Sequence, residues 1–537
     1  VKVMIKHSIQ IILVAFIALL IVQCAKRGNP TGGPVDETPP EILRATPDNY
    51  TTNFENQIIE ITFDEYIKLE NLERQLVVSP PLKNRPLIKP LGAASRKLTI
   101  EILDTLLDNT TYVFSFGQSI VDNTEGNVYP FYKYVFSTGS YIDSLKISGS
   151  VTDALNYKTD EFVNVMLYEV DSSYTDSIVY KQQPRYVVNT LDSLTTFTME
   201  NLRAGQYKMI ALKEPASDLI FNPDRDKIGF ISDVISVPTD EVFEVELFKP
   251  VLDPKVLRAS HEAANRFQVG YAGNLDSMQL KVLPEGLLEQ SRIVRQQDID
   301  TLNFWYRPAI VERDSVLLEA SYKSYKDTVV VRLREDREVD SLILSKEGQL
   351  TLNSPIQLKT NTPISVIDAA SMTLIDKDSL VIPFTTKLDS LKNILSIDFE
   401  KTESNRYNLQ MRPGSIVDMY GTSIDTTTYV YATKTAREYG AFLTTVTGGT
   451  KWPVILQIVK EDLSVVAEKT ITENGDYDFN YITPGNYYIR SIYDSNANGR
   501  YDPGNFLENR QPEEVVYIPA LITLLANFDV VETIVLE

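Results

Sequence analysis

Ile58-Ile59-Glu60-Ile61-Thr62-Phe63-Asp64-Glu65 alternates apolar and polar side chains from Ile59 to Asp64. Successive side chains of a strand point to opposite faces. Ile59, Ile61 and Phe63 therefore share one face, and Glu60, Thr62 and Asp64 the other. Such a strand has one side for a core and one for water. The same alternation returns at Leu98, Ile100 and Ile102, and at Tyr112, Phe114 and Phe116. Turn signals recur roughly every 8–12 residues, and no long helical periodicity interrupts them. The expected fold class is all-β, a tandem series of β-sandwiches. A chain of 537 residues with 43% apolar content can bury several cores, at about 100–150 residues per domain.

Two internal repeats divide the body. Ser119-Ile120-Val121-Asp122 leads through a loop to Tyr134-Val135-Phe136-Ser137-Thr138. Ser415-Ile416-Val417-Asp418 leads, past Gly421, to Tyr429-Val430-Tyr431-Ala432-Thr433. The second repeat matches Phe197–Tyr207 with Tyr477–Tyr487, each a strand, a turn with glycine, and a strand opening on tyrosine.

These stretches carry two resemblances. Residues 38–140 resemble the bacterial Ig-like domain often found in Bacteroidetes lipoproteins. The likeness rests on Pro39-Pro40-Glu41-Ile42, Thr46-Pro47-Asp48, the strand at 58–65, the run 107–127 and Tyr134–Gly139. Residues 341–436 then read as a diverged second copy. Residues 141–250 and 437–537 resemble the transthyretin-like or carboxypeptidase-regulatory-like β-sandwich. Residues 251–340 are strand-rich and of unknown type.

The N-terminal stretch differs. Lys2 and Lys6 precede the apolar run Ser8–Val22, and the single cysteine, Cys24, stands where that run ends. The run is short for a spanning helix and has the layout of a signal peptide. Leu20-Ile21-Val22-Gln23-Cys24 resembles the lipobox of bacterial lipoproteins, with Gln23 where a small residue is usual. The resemblance implies a signal peptide over 1–23, lipidation of Cys24 and a place in the outer membrane. The Gly- and Pro-rich residues 24–37 read as a flexible tether. Lys26 and Arg27 stand where surface-export signals of this group carry acids, which favours the periplasmic face and leaves the face open.

Net charge is −21. Such a surface repels phosphate backbones, so no nucleic-acid partner is expected. One cysteine excludes an intrachain disulfide and multi-thiolate metal sites. Beyond His7, the only histidine is His261, in Ala259-Ser260-His261-Glu262, and no GxSxG, Walker A or GxGxxG pattern occurs. The chain is expected to be non-catalytic. Trp305 and Trp452 are the only tryptophans; a buried role suits them better than a ligand-facing one.

One local pattern suggests a cofactor. Asp494, Asn496, Asn498 and Asp502, with Gly499, fit the front half of a calcium loop. Asn505 stands where a bidentate glutamate is usual, and Glu508 follows three residues later. An Asn/Asp/Gly-rich turn held by its own side chains fits the same residues, and both readings stay open. Asp followed by Ser or Thr and an aliphatic residue recurs, with hydroxyls at Thr105, Ser144, Ser193, Ser315, Ser341 and Ser390. This resembles the O-glycosylation signal of exported Bacteroidetes proteins; a turn feeding a strand is the alternative.

The expected function is that of a lipid-anchored structural or interaction module with protein partners in the envelope. By analogy it is an accessory subunit of an outer-membrane export or barrel-assembly machine. A glycan- or substrate-binding lipoprotein in nutrient capture is the alternative.

Overall fold

The computed structural model describes residues 36–191, 195–273, 278–296, 300–322 and 325–536. The expected signal peptide, Cys24 and nearly all of the tether lie outside them. Among the described residues the sole α-helix is the single turn Leu72–Gln75, and strands dominate throughout. The chain is a tandem array of β-sandwiches. It divides into two compact units, one within the first 142 residues and one continuing from Asp143.

In the first unit, Ile58–Leu69 pairs antiparallel with Ile42–Thr46 on one side and with Ser95–Glu101 on the other. Thr111–Ser115 and Lys133–Ser137 form a facing pair. The inward faces meet in a core that includes Ile59, Ile61, Phe63, Leu98, Phe114 and Phe136. These are the residues that period-two alternation singles out, because the pleat leaves them no other side. Residues 36 and 37, the end of the expected tether, are among the described residues. Asn127 Nδ2 donates to the carbonyls of Asp36 and Thr38, at 2.8 and 3.1 Å, and fastens residues 36–38 to the loop after Asp122.

The Ser-Ile-Val-Asp repeat has a local cause. Asp122 is 1% exposed. Its Oδ1 accepts the amides of Thr124 and Glu125, at 2.7 and 2.8 Å, and Oδ2 accepts that of Asn127 at 2.6 Å. Asp418 does the same for Tyr420 and Thr422, both at 2.9 Å. Each aspartate thus ends a short strand and holds the following loop closed.

Among the described residues the second unit contains four sandwiches. In residues 145–247, Asn164–Glu169 and Gly205–Lys213 pair centrally in one sheet. In the facing sheet Leu145–Asp153 lies antiparallel to Thr196–Leu202 and parallel to Val242–Leu247. Residues 440–535 repeat this plan. Val454–Lys460 pairs with Gly485–Tyr493, and Gly440–Thr447 lies antiparallel to Gly475–Ile482 and parallel to Asp529–Val535. The shared Gly-x-Tyr step has a steric reason. Tyr207 Oη donates back to the Arg203 carbonyl at 3.0 Å and Tyr487 Oη to the Thr483 carbonyl at 2.6 Å. The ring folds over the glycine, where a Cβ would meet the hydroxyl at 3.1 Å (Gly205) or 3.2 Å (Gly485).

Between them lie two more sandwiches. One sets Lys255–Ala263, Arg266–Ala272, Thr301–Arg307 and Gln290–Arg295 against Gln279–Leu283, Ser315–Tyr322 and Tyr325–Arg332. The other joins Ile356–Thr360 and Ile394–Asp398 to Arg406–Met411 and Thr427–Ala432 through one core.

Candidate functional site

The loop after Tyr493 carries the strongest chemical pattern in the sequence. Asp494 is buried at the end of its strand. Its Oδ1 accepts the Asn498 amide at 3.0 Å and its Oδ2 the Gly499 amide at 2.7 Å. Gly499 turns the chain at a φ of 77°, a region that glycine enters without cost. Asn496 Nδ2 and Asn498 Nδ2 both donate to Asp502 Oδ2, the latter at 2.7 Å. The Asn496, Asn498 and Asp502 side chains therefore meet, while the Asp494 carboxylate is turned to the loop's backbone amides.

The closing carboxylate is Glu513, which the sequence pattern did not indicate. Oε1 accepts the Ser495 amide at 2.7 Å and its hydroxyl at 2.8 Å, and Oε2 accepts the Asp502 amide at 2.9 Å. Asn505 and Glu508 bond within their own turn, at 3.2 Å. No spacing rule could reach Glu513, since the intervening turn is of arbitrary length. Turning over the two asparagine amides would bring their oxygens onto Asp502, the donor set a hard cation such as calcium takes. Asp494 and Glu513 remain committed to backbone amides. Among the described residues, no three His, Cys, Asp or Glu side chains assemble into a metal-holding cluster. Beside the loop lies a cleft of about 550 Å3, lined in part by Lys451, Tyr493, Asn496, Asp502 and Arg510.

The outer face of the same sheet is covered by the 145–247 sandwich. Tyr157 stacks on Tyr488 with ring centroids 4.6 Å apart, and its hydroxyl donates to the Pro519 carbonyl at 3.2 Å. Arg490, 5% exposed, donates to Gln457 Oε1 at 2.7 Å, to the Leu155 carbonyl at 3.2 Å and to Tyr517 Oη at 3.1 Å. Phe230 meets Phe506 edge-on at 5.2 Å, and Gln511 Nε2 donates to the Phe230 carbonyl at 2.9 Å. These contacts brace the two related sandwiches against each other across more than 270 residues of chain.

The first copy has its own titrating pair in the corresponding loop. Glu214 follows Gly205 at the same interval as Asp494 follows Gly485. It accepts the amides of Asp218 and Leu219 at 3.0 and 2.9 Å. Burial, together with a hydrogen bond to the Asp218 carboxyl, pushes Glu214 up to about 7. Asp218 is itself partly buried, yet the bonds from Glu214, the Ile220 amide and Arg225 hold it below the usual carboxylate range. A carboxyl raised in the folded state contributes stability that is complete below its unfolded value near 4.5. That contribution is lost as pH rises through about 7. Urea midpoints of the wild type should therefore fall between pH 5 and pH 8 by more than those of Glu214→Gln. Equal pH slopes for the two proteins would disprove the assignment.

The remaining candidates are placed as follows. His261 is buried, and its Nδ1 accepts the Arg334 amide at 3.0 Å. Burial, helped by Arg337, pushes its pKa down, so it is a neutral structural acceptor. Trp305, 2% exposed, packs with Val294 and Met419 where the 255–332 and 344–432 sandwiches meet. Trp452 packs against the core of its own sandwich. Thr105, Ser144, Ser315, Ser341 and Ser390 are all exposed, and Ser193 lies outside the described residues. Around Ser390, the Asp389 carboxylate accepts the amides of Leu391 and Lys392, at 3.1 and 3.0 Å, as a turn requires.

Comparison with known proteins adds one family. Residues 36–138 match the family model of a bacterial Ig-like domain. No curated protein matches the chain. Similar solved structures include the surface layer protein SbsC, domains 1–6, at 10% identity over 85% of this chain and 65% of that one, with a TM-score of 0.14. The major pilin subunit BcpA of Bacillus cereus matches at 10% identity over 73% of this chain and 99% of its own, also at 0.14. The Bacillus anthracis TIE protein matches at 12% identity over 95% and 76%, again at 0.14. At these scores the likenesses carry no argument about this chain.

Proposed function

We propose that this chain is a non-catalytic, lipid-anchored protein of the outer membrane that serves as a structural and interaction module. In this reading Cys24 carries the lipid, and residues 25–35 give reach. The bacterial Ig-like domain is followed by sandwiches of which 145–247 and 440–535 are of transthyretin-like type. The observation that carries the reading is the brace between those two sandwiches. Arg490, Tyr157 and Phe506 are spent on holding domains together, a use of side chains that suits a scaffold. The sole histidine among the described residues is likewise committed to a backbone amide. A concrete form is an accessory subunit of an export or barrel-assembly machine. No helix among the described residues is long and apolar enough to cross a membrane. Two buried acyl chains hold far better than one.

The glycan-binding alternative needs exposed aromatic platforms, and Trp305 is withdrawn from that role by its burial. The test is a mild-detergent pull-down of the tagged protein from its native outer membrane, beside a Cys24→Ser variant. The expected result is a stoichiometric membrane-barrel partner with the wild type, and release of the variant from the membrane fraction. A wild type that comes out alone would overturn the reading.

A further inference from the structure

An edge strand of a sheet presents unpaired backbone groups. Soluble proteins guard such edges with charge, proline or a covering segment. The strand Asp529–Val535 is an edge: it pairs with Gly440–Thr447 and, among the described residues, with nothing on its other side. Its outward face shows Val531, 71% exposed, and Val535, 66% exposed, with Thr533 between them. Phe528, just before it, is also exposed. Leu443 lies beside Val531 in the ladder and extends the apolar surface inward.

The related sandwich shows what a guarded version looks like. There Val242–Leu247 is the corresponding strand, parallel to Leu145–Asp153. Glu244 and Glu246 stand where Thr533 and Val535 stand in the other copy. Phe248, next in the chain, exchanges two backbone bonds with Ile228, at 2.8 and 3.0 Å, and ties that strand to the opposite sheet. The 529–535 strand has threonine and valine at the places of those two glutamates.

Charge selects the occupant. The three strands of this sheet carry Asp476, Asp478, Asp529 and Glu532 and no lysine or arginine. A second copy of the same acidic strand would be repelled. We propose that the free edge of Asp529–Val535 docks an extended partner strand that alternates aliphatic residues with lysine or arginine, adding to the sheet by β-augmentation. Backbone bonds supply affinity, and aliphatic side chains at alternate positions cover Val531 and Val535. The proposal rests on the interaction-module reading and names its surface.

The probe is a labelled, end-capped Lys-Val-Lys-Val-Lys-Val-Lys peptide, titrated into the full chain by fluorescence anisotropy, with a Glu-Val repeat as control. The basic peptide should bind, and the acidic one at least tenfold more weakly. Val531→Lys with Val535→Lys, both at exposed positions, should weaken the basic peptide at least tenfold. Hydrogen exchange should slow in residues 529–535 on binding. Failure of the wild type to bind, equal binding by the double variant, or protection of another edge would each overturn the proposal. Sedimentation covers self-association: a wild-type dimer that the double variant abolishes would make a second copy the occupant, against the proposal. The membrane pull-down separates the two levels. If the double variant still recovers the wild type's partner, the edge inference fails and the interaction reading stands. If the wild type recovers none, that reading falls, and this inference with it.

Discussion

Asp122→Ala is expected to raise the opening equilibrium of the N-terminal sandwich about a hundredfold. The carboxylate is buried and accepts three amides within 2.8 Å. Burial opposes its charge, yet the amides of Glu125, Asn127 and Thr124 more than offset that and hold its pKa below the usual range. Each bond to a charged acceptor contributes about 1.5–3 kcal/mol when its partner would otherwise go unpaired. Thr124 and Glu125 are exposed and can turn to water, which brings the expected net loss to about 3 kcal/mol. Asp122→Asn keeps one oxygen acceptor and should recover roughly half. Hydrogen exchange over Thr111–Ser115 and Lys133–Ser137 reads this sandwich alone, whereas both tryptophans lie elsewhere in the chain. Unchanged exchange in Asp122→Ala would show that the loop holds without its aspartate. The stabilisation should be present above the unfolded aspartate value and vanish as pH falls through the lowered one.

Arg490→Ala is expected to part the 145–247 and 440–535 sandwiches while leaving each folded. The guanidinium bonds at once to Gln457 of its own sheet, to Tyr517 and to the Leu155 carbonyl of the other sandwich. Truncation leaves Gln457 Oε1 without its donor and Tyr517 Oη without the guanidinium it accepts from. The Leu155 carbonyl keeps only Tyr517 Oη, at 2.6 Å. Together these effects should cost about 3 kcal/mol. Arg490→Lys keeps the charge but cannot span three acceptors with one ammonium, so it should recover only part. Exchange should accelerate in residues 153–161 and 485–493 and stay slow in both cores. If residues 153–161 exchange as in the wild type, the brace does not depend on Arg490.

Legibility in the sequence followed the range of the interaction. Ile59, Ile61 and Phe63 announced their face because alternation is a nearest-neighbour property. Asp122 and Asp418 were visible as a repeat, and the loops they close span only a few residues. The Gly-x-Tyr step was equally legible, since each tyrosine bonds to a carbonyl four residues back. Arg490 was not legible. It sits in an alternating strand where a cation would ordinarily face water, and its partner at Leu155 is 335 residues away. Glu513 was missed for a milder form of the same reason, lying beyond a turn whose length no motif fixes. Trp305 read correctly as buried, yet what buries it includes Met419 of the next sandwich, which no local pattern names.

The brace between distant sandwiches sets a schedule for synthesis. Residues up to Leu247 can close their own core as soon as they emerge, but Tyr157, Phe230 and Phe248 then lack the contacts that the last sandwich supplies. Their cover arrives only with Tyr488, Gly504 and Phe506. At about 5–20 residues per second, that delay is roughly 10–50 s. For that interval the nascent chain displays more of this aromatic surface than the finished protein does, and whatever escorts it must let go when the last sandwich folds.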